Sequence, residues 1–299
     1  MNEAVGLREA RLGLTAGVCA FGIWGLAPVY FKMLGHVQPD EIIGHRVVWS
    51  VLFLGLVVLI RKRAGVWRHL RISWRTAALL GLTGGLIALN WLIFIHAVNT
   101  DRVLATSLGY FINPLMSVVL GLVVFRERLV PVQVIAVLMA GVGAGYLTYR
   151  QGHLPWISLS LAATFAVYGV IRKLLEVGPM VGLFWETLIV SPFAVAWMLT
   201  LQHRQELSFS LAEPASAVLL IGTGLLTVAP LLLFAAGVRR LPLSTMGLLQ
   251  YLAPSLTFVL AVFIYGEPFT IDHAVTFGSV WLALVLFFWA GWDKSRLPR

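Results

Sequence analysis

Residues 104–127 read LATSLGYFINPLMSVVLGLVVFRE, and no charged side chain interrupts the run before Arg126. As a helix, that run is long enough to cross the ~30 Å hydrocarbon core of a bilayer. It carries Asn113 and Pro114 near its middle, where a buried helix holds neither without a reason. The same shape returns at residues 244–267, STMGLLQYLAPSLTFVLAVFIYGE. At an offset of 140, Leu108 aligns with Leu248, Pro114 with Pro254, Val119 with Val259, Leu120 with Leu260 and Glu127 with Glu267. Apolar helices match one another by composition alone, so the aligned prolines and terminal glutamates carry the argument. They predict two related halves, 1–150 and 151–299, meeting near Gln151–Pro155.

Of the 299 residues, 59% are hydrophobic and 12% charged, which no soluble domain requires. The short alternating segments of a membrane barrel are missing, so the expected class is an all-α integral membrane protein. Ten spans are predicted: Leu12–Phe31, Ile42–Ile60, Thr76–Ala97, Leu104–Phe125, Val130–Tyr149, Trp156–Leu174, Met180–Leu201, Ala215–Ala236, Leu243–Tyr265 and Ile271–Trp292. Pro39, Pro131, Pro155, Pro179, Pro214, Pro242 and Pro268 fall at their boundaries. Five spans per half is an odd number, so the second half enters the membrane upside down. Inverted repeats of this kind build secondary transporters, with the substrate near the midplane and access alternating between the two sides.

The net charge of +9 comes from basic residues in the loops, which reads as a topology signal rather than a nucleic-acid surface. With both termini cytoplasmic, seventeen Lys and Arg lie inside and four outside, while Arg46 lies within a span. The lone Cys19 excludes an internal disulfide. No cleavable signal pattern is recognisable. No ligand spacing for a metal and no Walker motif occurs, so neither metal nor cofactor is expected. The expected partners are a small-molecule substrate and the lipid bilayer, and the chain is read as a monomer.

Ionisable groups inside spans are costly and therefore candidates for function. Arg46 and Glu186 share the offset of 140. Depth argues against a direct pair, because opposite insertion leaves ~15 Å between their backbones along the membrane normal. Arg46 is expected near an outer gate, with snorkelling to the headgroups as the plain alternative. Glu186 is expected near an inner gate, as carrier of a coupling proton or as a hydrogen-bonded structural acid. His45 shares a helix face with Trp49 and is a candidate proton shuttle or a packed core histidine.

Ser107, Tyr110, Pro114 and Ser117 form one stripe on the fourth span, with Asn113 beside them. Gln250, Pro254 and Thr257 repeat it on the ninth, with Tyr251 adjacent. A mid-helix proline frees the carbonyl four residues earlier, here Tyr110 and Gln250, and in lipid such a group must face protein or a wet cavity. The predicted ligand site lies where these two broken helices meet. Trp24, Asn90, Trp91 and Tyr168 are candidate wall residues for an amphipathic ligand. Close helix contact is the expected role of Gly81, Gly84, Gly85, Gly121, Gly141 and Gly145.

The segments GIWGLAPVYFK, DEIIGHRVVWS, NWLIFIHAVN, SLGYFINPL, FAVYGVIRK, ETLIVSP and LSTMGLLQYLAPSLTFVLAVFIYGE resemble the RarD proteins, in collinear order along nearly the whole chain. RarD proteins belong to the EamA branch of the drug/metabolite transporter superfamily. The resemblance implies ten helices in two inverted five-helix repeats in a bacterial inner membrane. It further implies export or exchange of small organic molecules, such as chloramphenicol, amino acids or related metabolites. Arg126 departs from the family, whose members commonly carry Gly there. A membrane enzyme would need titratable groups clustered at one depth, and here they are scattered. The remaining rivals are a lipid translocase, which would want a groove open to lipid, and a non-transporting membrane scaffold.

Overall fold

The computed structural model describes residues 2–60, 72–125, 131–238, 240, 241, 246 and 249–294. The helices are α1 (Asn2–Gly25), α2 (Ala27–Met33), α3 (Pro39–Ile60), α4 (Trp74–Asn99), α5 (Val103–Phe125) and α6 (Pro131–Gln151). There follow α7 (Trp156–Leu174), α8 (Pro179–His203), α9 (Pro214–Val238), α10 (Leu252–Val259) with a π-turn at Leu260–Ile264, and α11 (Ile271–Lys294). No strand occurs among the described residues. Among the described residues, eight helical segments are long and apolar enough to cross a membrane, and two shorter apolar helices, Leu252–Ile264 and Ile271–Phe287, accompany them.

The distribution of side chains is that of a body dissolved in lipid. On α3, Leu52, Leu56 and Leu59 point outward and are more than half exposed. Glu41, His45, Arg46 and Ser50 of the same helix are buried. The exposed face is apolar and the polar groups are inside, because the hydrocarbon supplies no hydrogen bonds to offset exposed polarity. A large core runs from Phe31 and Ile95 through Leu108 and Leu161 to Phe277 and Val280. A second, smaller one joins Leu54, Leu183 and Val228, with Phe53, Trp91 and Phe184 packed against it.

Two spans depart from their expected form. The first begins near the N-terminus rather than at Leu12, and it breaks at Leu26. Pro28 stands in the first turn of α2, where its missing N–H costs nothing, so the chain restarts a helix there. The ninth breaks around Gln250 and Tyr251, four residues before the expected point. Pro254 therefore stands in the first turn of α10 and not at mid-helix. Pro114 does lie inside a continuous helix. So do Pro192 in α8 and Pro230 in α9, which the boundary pattern of the other prolines did not suggest. Residues 61–71, Arg126, Glu127 and Pro242–Thr245, used in the sequence argument, lie outside the described residues.

Helix α3 packs on α8 and α9, α1 on α9 and α10, α5 on α7 and α10, α4 on α7 and α8, and α6 on α11. Two of these approaches demand glycine. A Cβ on Gly84 of α4 would lie 2.8 Å from the Glu186 carbonyl oxygen of α8. A Cβ on Gly224 of α9 would lie 2.6 Å from the Trp49 carbonyl carbon of α3. These two glycines are themselves 140 residues apart. Gly85, Gly141 and Gly145, expected at helix contacts, have no atom within 4 Å of such a Cβ.

Candidate functional site

Arg46 and Glu186 occupy separate surroundings. Glu186 is 1% exposed and faces three partners on two other helices. Thr83 Oγ1 of α4 donates to its Oε1 at 2.7 Å, Tyr168 of α7 donates to Oε2 at 3.4 Å, and Arg172 Nε of α7 lies 3.6 Å from Oε1. The Arg172 guanidinium also donates to the Val177 carbonyl and rests on Gly182, where any Cβ would collide with it. A buried carboxylate is tolerated when paired and hydrogen-bonded, and this one is both. Sequence reasoning missed Arg172, which it counted among the cytoplasmic topology signals at the end of the sixth span. The available signal was Gly182, on the first turns of the helix that carries Glu186.

Arg46 is 6% exposed, so it does not snorkel to the surface. Its guanidinium carbon lies 4.0 Å from the ring centroid of Trp91 and 5.6 Å from that of Phe31. Such contacts are worth ~0.5–2 kcal/mol each and supply no hydrogen-bond acceptor in the plane of the N–H groups. Among the described residues, no carboxylate lies within 4 Å of it, and its buried Nε has no hydrogen-bond partner. Trp91 thus joins Arg46 on α3 to the small core formed with α8 and α9.

His45 turns away from Arg46. Its Nδ1 accepts a hydrogen bond from Trp49 Nε1 at 3.2 Å, its ring lies 4.8 Å from that of Phe209 at a tilt of 35°, and its Nε2 lies 3.8 Å from Glu41. Glu41, missed in the sequence because it opens a helix, is fully buried and accepts the backbone N–H groups of Ser208 and Phe209. It fastens the segment after α8 onto α3, with His45 packed beside it and its Nε2 buried without a hydrogen-bond partner.

Of the candidate wall residues, Asn90 is committed to packing. Its Nδ2 donates to the Leu161 carbonyl at 3.0 Å and to Thr164 Oγ1 at 2.8 Å, and the Tyr110 hydroxyl reaches its Oδ1 at 3.5 Å. Tyr168 serves Glu186. Trp24 packs with Phe21 and Phe234, apart from the Arg46 group. Tyr251 stacks on Phe111 at 6.1 Å, beside Trp281. Tyr110 touches Phe94, which touches Phe31, so one aromatic wall runs from α5 to the flank of Arg46.

The fourth and ninth spans do meet. Ser107 Oγ of α5 donates to the Pro254 carbonyl of α10 at 2.8 Å. Half-buried Asn113, one turn beyond Tyr110, keeps its Oδ1 buried without a partner. The Gln250 carbonyl, expected free, accepts the Ala253 N–H at 3.3 Å because the chain turns there instead of continuing as a helix. At one end of this contact Glu267 receives the first N–H groups of α5, from Val103 at 2.6 Å and Leu104 at 2.8 Å. Burial nevertheless holds its carboxyl above the ordinary carboxylate range. Among the described residues no three His, Cys, Asp or Glu side chains converge as metal ligands would.

The pattern of the EamA-like transporter family matches the chain twice, over residues 11–149 and 154–290. An uncharacterized transporter of Pseudomonas aeruginosa is 40% identical over 97% of each chain. Protein RarD of Escherichia coli is 39% identical, covering 94% of this chain and 95% of its own. The chloramphenicol-sensitive protein RarD of Pseudomonas aeruginosa is 32% identical over 98% of each. A crystal structure at 18% identity superposes over 92% of this chain and 96% of its own with a TM-score of 0.60, which shows a shared fold. This multi-pass bacterial membrane protein therefore belongs to the RarD branch of the EamA-like transporter family.

Proposed function

We propose that the chain exports or exchanges small amphipathic organic molecules by alternating access between two inverted repeats, 1–150 and 151–299. The observation that carries this reading is the pattern of helix packing. With α1 and α2 counted as the first span and α10 with its π-turn as the ninth, the largest contacts between non-equivalent spans of the proposed repeats have counterparts five spans on. α5 on α7 answers α1 on α10, α1 on α9 answers α4 on α7, and α3 on α9 answers α4 on α8. A framework in which each repeat can adopt the other's arrangement has two states of similar energy, opening to opposite sides. Both termini are cytoplasmic in this reading, from the distribution of Lys and Arg.

The ligand sits between α5 and α10 near the midplane, where Asn113, Gln250 and Tyr251 supply polarity on otherwise apolar helices. Asn113→Leu and Gln250→Leu leave folding and insertion intact, because apolar side chains are tolerated there. Each substitution weakens transport by on the order of five-fold, the worth of a ~1 kcal/mol hydrogen bond. Uptake into proteoliposomes of a panel of amino acids and antibiotics, with and without a pH gradient, checks this. Full transport by the double variant removes the site, and no flux of any panel compound counts against the function itself.

A further inference from the structure

Arg46 is a fixed cation, 6% exposed, with no anion beside it among the described residues. A guanidinium stays protonated in proteins, so it cannot escape burial by losing its charge as a lysine or a carboxyl group would. The buried carboxylates of the same helix and of the equivalent helix are engaged elsewhere. Glu41, one turn before it on α3, is directed to the backbone of Ser208 and Phe209, and Glu186 to Thr83, Tyr168 and Arg172. What surrounds the guanidinium is aromatic: Trp91 and Phe31 against it, with Phe94 and Tyr110 continuing the wall. Its Nε is buried and unpartnered. The rings beside the guanidinium offer it no hydrogen-bond acceptor, and a planar N–H fork of this kind matches a carboxylate.

We propose that Arg46 is the anchor for the carboxylate of the transported molecule, so that the substrate class is small organic carboxylates with an apolar body. This rests on the transport reading above and sharpens it. The carboxylate takes the in-plane donors, the apolar body lies along the aromatic wall toward Tyr110, and the buried charge is neutral as a pair only when the site is loaded.

The test uses the full chain in dodecyl maltoside with two pairs of isosteres, 3-phenylpropionate and its amide, and 4-methylpentanoate and its amide. At least one acid binds by calorimetry, and its amide binds on the order of 10–100-fold more weakly, the effect of one charge-assisted pair. Arg46→Met abolishes that difference and Arg46→Lys keeps part of it. Equal binding of acids and amides, or a difference that survives Arg46→Met, overturns the proposal. Should Arg46→Met not fold, phenylglyoxal modification of wild-type Arg46, read by peptide mass, decides instead. The acids slow it and the amides do not.

An Arg46 that phenylglyoxal never reaches also overturns the proposal, since a ligand of similar size would not reach it either. Protection by phosphatidylglycerol with no acid present makes the counter-ion a lipid headgroup and overturns it too. Flux measurements separate the two readings. Acid binding through Arg46 without flux leaves the anchor and removes the transporter. Flux of acid and amide alike, indifferent to Arg46→Met, does the reverse.

Discussion

Arg46 on α3 and Glu186 on α8 stand at equivalent positions, 140 residues apart, in helices held by equivalent glycines. Among the described residues, one charge is answered by its own chain and the other is not. Glu186 has a threonine, a tyrosine and an arginine around it; Arg46 has two aromatic rings and an idle Nε. The difference teaches that one repeated slot serves two ends. Where the countercharge is built in, the slot locks α4, α7 and α8 together. Where it is absent, the slot leaves a charge available to something from outside.

The contrast breaks most readily at Arg172. Removing it with Arg172→Met strands a buried carboxylate and destabilises the fold by ~3–5 kcal/mol, read as a lowered melting temperature in detergent. The double change Arg172→Met with Glu186→Leu recovers most of that loss, because no charge is left unpaired. An unaffected single variant would mean that Glu186 is held by hydrogen bonds alone.

The scaffolds beneath the two charges are expected to respond alike. Gly84→Ala and Gly224→Ala each push a methyl group into the backbone of the opposing helix, and each costs ~1–3 kcal/mol. A large loss at one position with none at the other would show that the two slots are not packed in the same way.

The smallest effect has the opposite sign. Arg46→Met removes an uncompensated charge from an apolar wall and is expected to raise stability by about 1 kcal/mol in ligand-free protein, since replacing buried charge with well-packed apolar groups is often stabilising. Destabilisation comparable to that of Arg172→Met would give Arg46 a hidden internal partner and erase the contrast.

The spans were legible because lipid imposes a simple rule, and runs such as residues 104–125 obey it without exception. That Arg46 and Glu186 do not pair agrees with the expectation drawn from the sequence. The partners were not legible. Arg172 looked like any basic residue at a helix end, and only the fold turns it inward across Gly182. Asn90 read as a ligand group because a polar side chain in a span must find some partner, and the sequence cannot say that the partners are Leu161 and Thr164, more than seventy residues away. The break in the ninth span was placed four residues late for a related reason. Proline marks a helix start as readily as a kink, and the position of Tyr251 decides between them.

Glu267 has a consequence for how such a molecule can move. Its carboxylate follows the π-turn after α10 yet grips the opening turn of α5, so it behaves as a latch between two elements far apart in sequence. Opening the protein at that end would bare a helix terminus and strip an acid of both its donors inside a poorly polar medium. A rocking motion that keeps the latch shut would use that end as a fulcrum.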